Sequence, residues 1–286
     1  MTQLSKKEGK KIKNLPPMAK VSPFIMVSRQ DASNRLQDVV RAEAAEEYIR
    51  RKKAEGLTGF NMMHVLMAAY VRTVSQRPGI NRFLRGQRVY RRNGIEALIA
   101  VKKEMSLESP DTCIKIALAP TDTAQDVYEA FEKEIRDYRE EPAGAFDSAA
   151  KAFNYIPALL MKFVVWLLKI LDYLGWLPRF LTKLSPFHGS IFVTSMGSLG
   201  VPAIYHHLYD FGNLPIFLAF GTKRKTYEMR PDGSVEECHY IDYTITMDER
   251  ICDGYYYASA IKMFKYYLRH PDLLDVPPET VVDDIY

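Results

Sequence analysis

Residues 225–248, KTYEMRPDGSVEECHYIDYTITMD, hold two runs of β-branched and aromatic residues around Pro231-Asp232-Gly233. That pattern reads as a β-hairpin. Further strands are expected where Ile95, Ala97, Ile99 and Val101 alternate, over 113–118, near 189–196 and over 215–221, with PFIMVS (23–28) suiting a short strand. Helical patterns run from Ser33, its expected N-cap, to Lys53, and from Phe60 to Gln76, which is apolar on most sides and therefore expected to be buried. Two more run from Thr121 to Tyr138, capped by Thr121 or Asp122, and from Tyr255 to Arg269 before Pro271. A hairpin set among strands and helices that do not alternate regularly predicts an α/β fold on a mixed sheet flanked by helices, rather than a doubly wound one.

With 286 residues, 47% of them apolar, the chain can bury one large core or two smaller ones. The net charge of +4 does not argue for nucleic acid, and no nucleic-acid partner is expected. Lys6, Lys7, Lys10, Lys11, Lys13 and Lys20 stand against the single acid Glu8, so residues 1–20 read as a basic flexible tail, solvated or docked on an anionic surface. The three cysteines, Cys113, Cys238 and Cys252, form neither a metal spacing nor a disulfide framework. The first residues hold no apolar run of the secretory kind, and the expected location is cytoplasmic.

Residues 156–184, IPALLMKFVVWLLKILDYLGWLPRFLTKL, are the most hydrophobic segment. Lys162, Lys169 and Asp172 interrupt it and Pro178 ends its helix, so it does not read as a span. Two readings remain. One is a buried core or subunit-interface helix; the other is a helix lying in the membrane plane, with Trp166 and Trp176 at headgroup level and the lysine tail as a second anchor. The second would place the protein peripherally at the inner face of the membrane.

The loop Asp248-Glu249-Arg250-Ile251-Cys252-Asp253-Gly254 and the helix after it resemble the C-terminal signature of the 2-oxo acid dehydrogenase dihydrolipoamide acyltransferases, Asp-His-Arg-x-x-Asp-Gly. GSIFVTSMGSLG (189–200) resembles that family's Phe-Thr-x-Ser-Asn-x-Gly strand and turn, and MMHVLMAAYVRTVSQRPGIN (62–81) its early helix and stop. The likeness covers about residues 22–274. It implies the chloramphenicol acetyltransferase-like fold and a trimer, with a catalytic domain over 21–275, an apolar insertion at about 154–187 and a C-terminal tail over 276–286. It also implies active sites between subunits and a coenzyme A thioester as substrate. No permanently bound cofactor and no metal are expected, and no lipoyl domain is recognised in this sequence.

Within that resemblance Glu249 stands where the family has its catalytic histidine, Thr194 where it has its oxyanion-binding serine, Asp253 at the loop-shaping acid and Gly254 at the turn into the helix. Ser195 and Tyr255 are the expected substrate contacts. Moving a thiol proton to histidine is uphill by about 2.7 kcal/mol, and to an ordinary glutamate by about 5.7 kcal/mol, a difference of about a hundredfold in rate. Two readings follow: an acyltransferase with a carboxylate base acting on a lipid-like acceptor, or a catalytically inactive trimeric scaffold. His206 and His207 are the alternative bases. His188 is placed to cap or line the same channel, His64 reads as a core histidine, and Cys252 as a packing residue.

Overall fold

The computed structural model describes residues 8–102, 111–140 and 156–285. In chain order the elements are β1 (Gly9–Lys11), α1 (Pro17–Ile25), β2 (Ser33–Arg41), α2 (Glu43–Ala54), α3 (Met62–Gln76), β3 (Phe83–Arg85), β4 (Arg88–Arg92), β5 (Ile95–Lys102) and β6 (Asp111–Leu118). They continue with α4 (Ala124–Glu140), α5 (Ala158–Leu174), α6 (Arg179–Leu184), β7 (Ile191–Ser195), β8 (Ile216–Met229), β9 (Val235–Asp248) and α7 (Gly254–Arg269). A six-stranded sheet has the order β2-β9-β8-β7-β5-β6, and a three-stranded sheet the order β1-β4-β3. β7 runs parallel to both β5 and β8 while the other pairs are antiparallel, the mixed sheet that the element order predicts. The hairpin closes at Gly233, whose φ of +82° suits glycine.

One face of the large sheet packs against α3, α4 and α7 around Phe60, Leu66, Phe131, Ile191, Tyr243 and Phe264. α3 is enclosed from His64 to Ser75. Its start is fixed by Asn61, whose side chain accepts from Met63 N at 2.9 Å, and by His64 Nδ1, which accepts from Asn61 N at 3.1 Å. A smaller cluster on the opposite face holds Leu98, Phe192, Leu208, Leu214 and Phe217.

Four local expectations are corrected. PFIMVS forms no strand: Pro23–Ile25 are the last residues of α1 and Met26–Ser28 lie beyond its end, while Pro16 and Pro17 set the first turn, since a helix can start at a proline whose missing N–H would have been unpaired there. Ser33 does not cap a helix. It opens β2, which pairs with β9 from Ser33↔Asp248 to Arg41↔Tyr240. As an edge strand with mostly half-exposed side chains, β2 lacks the clean alternation that marks a strand in sequence. α4 is capped by Thr123, whose hydroxyl accepts from Asp126 N at 3.3 Å while Asp126 accepts from Thr123 N at 2.8 Å. The basic tail is folded from residue 8 onward, since Ile12 and Leu15 are buried and β1 lies against β4. A Cβ at Gly9 would come 2.1 Å from Arg91 O, so only glycine permits that approach.

The apolar segment forms α5 and α6, with Gly175 at φ +73° as the left-handed cap of α5. No residue of α5 is fully buried, so it is not a core helix of one chain. Among the described residues no helix is long and apolar enough to cross a membrane.

Candidate active site

β9 delivers Asp248 to the sheet edge, where its N–H donates to Pro215 O at 2.9 Å and that of Glu249 to Ala32 O at 2.8 Å. The loop is then locked by charge. Arg250 donates to both Asp248 oxygens at 2.8 Å, and Arg29 Nε lies 3.5 Å from the same carboxylate. All three side chains are at least nine-tenths buried. The guanidinium of Arg250 also donates to Met26 O at 2.9 Å and Val27 O at 3.1 Å. Arg29 reaches the carbonyls of Tyr209 and Gly212, and its backbone N–H donates to Asp210 at 2.7 Å. Two cations on one anion are tolerated in a dry site because backbone carbonyls take the remaining donors. Arg29 is a residue the sequence reading missed, because its partners lie far along the chain and no local pattern marks it.

Asp253 accepts from Tyr256 N at 2.8 Å and so caps α7. Gly254 is a correction: its φ is not positive and a Cβ there would meet nothing within 4 Å, so the backbone does not demand glycine. Tyr255 is a second. It is 89% exposed and absent from the cleft described next, whose lining residue is Tyr256. The cap sets the helical phase, and one residue on is a rotation of about 100°. The Tyr256 hydroxyl instead accepts from Gly79 N at 2.9 Å.

Glu249 is exposed on the rim of a cleft of about 560 Å³, with Met26, Arg82, Cys252 and Tyr256 around it and the C-terminal residues Asp283–Ile285 along one side. Its carboxylate makes no ion pair among the described residues. Arg82 is held by Asp284, Nε to Oδ2 at 2.8 Å, and donates to Ile251 O at 3.3 Å. Cys252 lines the same cleft, but burial pushes its thiol up to about 12, so it stays protonated at neutral pH.

Thr194 is half-buried on β7 and is not part of that cleft. It pairs with Ala219, and Ala219 with Thr244. Glu249 lies five residues past Thr244, so the two are on the order of 19 Å apart in one chain. Ser195, next to Thr194, points to the opposite face of the sheet.

His206 comes closer to Thr194 than Glu249 does. Its ring stacks on Phe217 at 3.8 Å, and Phe217 pairs with Phe192, two residues before Thr194 on the same face. Its Nδ1 donates to His207 O at 2.7 Å, which in the neutral ring leaves Nε2 as a proton acceptor. Burial holds its pKa below the ordinary value, helped by neighbouring His207 and opposed by that hydrogen bond. His207 is exposed. His188 is buried and lines no part of the Glu249 cleft: Nδ1 lies 2.8 Å from Ser185 Oγ and Nε2 3.1 Å from Asp172 Oδ1.

The probable dihydrolipoamide acetyltransferase of Listeria monocytogenes 4b F2365 is a similar solved structure. It matches with a TM-score of 0.56 and 15% identity over 92% of this chain and 95% of that one. The dihydrolipoamide acetyltransferase of Azotobacter vinelandii matches at 0.57 and 12% over 92% and 93%. The fold is that of the dihydrolipoamide acyltransferase core. A chloramphenicol acetyltransferase matches it too, at 0.53 and 13% identity over 93% of this chain and 99% of that one. No protein-family profile matches the chain, and no curated protein matches it by sequence.

Proposed function

We propose that the protein transfers an acyl group from a coenzyme A thioester to a lipid-like acceptor bearing a hydroxyl or thiol, as a homotrimer whose active sites lie between copies. The observation that carries this reading is the 248–254 loop. A buried ion cluster and a helix cap hold its frame while the Glu249 carboxylate stands unpaired at a cleft. The mechanism of the Azotobacter vinelandii enzyme involves a serine, a histidine and an asparagine four positions after it. By the sequence resemblance, Thr194, Glu249 and Asp253 take those places.

In this mechanism Glu249 removes the acceptor's proton and the acceptor attacks the thioester carbonyl. The Thr194 hydroxyl of a neighbouring copy donates to the oxyanion, the C–S bond breaks, and the coenzyme A thiolate recovers the proton from Glu249. Sharing the site between copies accounts for the separation of Glu249 from Thr194 within one chain. The apolar helices α5 and α6 come just before the strand of Thr194, and with the basic N-terminal segment they supply the lipid side: peripheral contact with a cytoplasm-facing membrane.

A second reading of the base rests on His206, whose free Nε2 lies on the sheet face of Thr194 in the same chain. Acyl transfer from a series of acyl-CoA thioesters to hydroxyl and thiol acceptors separates the two. Glu249→Ala is expected to lower turnover by at least about a hundredfold if the carboxylate is the base, a loss within the range of general-base catalysis. Loss on His206→Asn with retention in Glu249→Ala would move the base to His206. Turnover that emerges only in Glu249→His would mark the natural protein as inactive in this reaction and support a scaffold.

A further inference from the structure

The turn between β3 and β4 joins the outward faces of two helices, α1 and α5, away from Glu249. Gln87 Nε2 donates to Pro23 O of α1 at 3.4 Å, and its Oε1 accepts from the Tyr173 hydroxyl of α5 at 3.0 Å. Gly86 in the same turn has φ +53°, and a Cβ there would come 2.7 Å from Tyr173 O. α1 and α5 therefore meet the body on either side of one turn. Their outward side chains stay uncovered: Phe24 and Ile25 of α1, Phe163 and Trp166 of α5, and Trp176 beyond it are all more than half exposed. Lying flat, the 17-residue α5 presents about 25 Å of such surface.

Beside this patch, a cleft of about 360 Å³ opens between β1, α1 and β4. Its floor is Ile12, Leu15 and Val89, and its rim carries Lys11, Lys13, Lys20 and Arg88. No acidic residue lines it, and none of these four cations makes an ion pair among the described residues. Lys11 is held below its ordinary pKa first by burial and then by the neighbouring charges of Arg88 and Lys13. Crowded cations next to an exposed apolar face call for an occupant that is anionic at one end and apolar at the other. A second copy related by a two-fold axis would set the same cations against themselves. A bilayer with anionic headgroups offers phosphates to the rim and acyl chains to the rings.

We propose that this cleft is a headgroup site for an anionic phospholipid, seating the protein on the bilayer with the outward faces of α1 and α5 in the interfacial layer. The inference rests on the lipid side of the function proposed above and does not need catalysis. Flotation of the full chain with phosphatidylcholine vesicles, with and without phosphatidylglycerol, tests it. Wild type is expected to float with the anionic vesicles and not with the neutral ones. At about a fivefold change in partitioning per charge near an anionic surface, Lys13→Glu with Arg88→Glu should weaken binding by at least about 25-fold. Lys13→Arg with Arg88→Lys should preserve it. Binding that ignores Lys13→Glu/Arg88→Glu but is lost in Phe163→Ser/Trp166→Ser would keep the α5 contact and overturn the headgroup site. Absence of flotation with every vesicle would overturn both the site and the lipid side of the function, leaving acyl transfer to soluble acceptors to be judged by turnover. Calorimetric titration with inorganic phosphate covers the other source of the same chemistry. Saturable binding that the double glutamate variant abolishes, with no preference for anionic vesicles, would assign the cleft to a soluble phosphate compound and overturn the proposal.

Discussion

His64 lies 3% exposed between Phe60, Tyr128 and Phe131, and its Nε2 finds no partner among the described residues. Burial, opposed only by the hydrogen bond to Asn61, moves its pKa from 6.5 down to about 4. The unfolded chain therefore binds a proton below pH about 6.5 that the folded chain refuses until about pH 4. The stability this neutral ring confers is present above pH 6.5 and is lost as pH falls through that window, by about 3 kcal/mol. Urea unfolding across that range should show the slope, and His64→Gln, which keeps an acceptor for the helix cap, should flatten it. Asp248 is the sharper case. Asp248→Ala would leave the buried guanidinium groups of Arg29 and Arg250 without their carboxylate, and a loss of about 3–5 kcal/mol in the same measurement is expected. A loss below 1 kcal/mol would mean that the cluster does not hold the loop. Asp248 and Arg250 were legible from the resemblance, whereas Arg29 was not. Its value comes from carbonyls about 180 residues away in sequence.

At the scale of elements, α5 is fastened to the body at its C-terminal end. Asp172 accepts from His188, which in turn meets Ser185, and the Asp172 carboxylate is held below its usual pKa. Burial alone would raise it, but the His188 hydrogen bond and the charges of His188, Arg85 and Arg29 outweigh that. His188→Ala should lower hydrogen-exchange protection over 158–174 while leaving β8 and β9 protected, since they pair along their own length. Protection of α5 that did not change would show that its apolar contacts alone seat it. The elements with strong internal periodicity, α3, β5 and the β8–β9 hairpin, were readable from sequence. β2 was not, because an edge strand has one paired neighbour and a half-wet surface, and its charged residues mimic a helix face. α1 was misread for a related reason. Phe24, Ile25 and Val27 state a local preference for strand, but the helix that Pro16 and Pro17 open runs through to Ile25.

The whole molecule decides whether a site exists. Glu249 and Thr194 are too far apart in one chain to share a substrate, so the proposed reaction needs a neighbour. Analytical ultracentrifugation is expected to give three times the chain mass. Mixing unfolded Glu249→Ala and Thr194→Ala chains and refolding them together should restore roughly a quarter of the wild-type sites, since each interface then has that chance of pairing an intact Glu249 with an intact Thr194. Recovery at the level of either variant alone would exclude a site shared in this way. A His206 base would behave differently. His206 and Thr194 share a sheet face in the same chain, so His206→Asn and Thr194→Ala would not complement each other.

The sequence by itself determined the mixed sheet, the hairpin, the buried helix and the loop frame around Glu249, because periodicity, turn chemistry and a short motif are local properties of the chain. Only the tertiary structure decided which side chains meet. It turned Tyr255 outward and Tyr256 into the cleft, set His206 beside the strand of Thr194, and folded the basic segment against β4 so that three of its lysines, with Arg88, ring an apolar cleft. Those outcomes depend on strand register, helix phase and long-range burial, which are fixed when distant parts of the chain pack together and leave little trace in the order of residues.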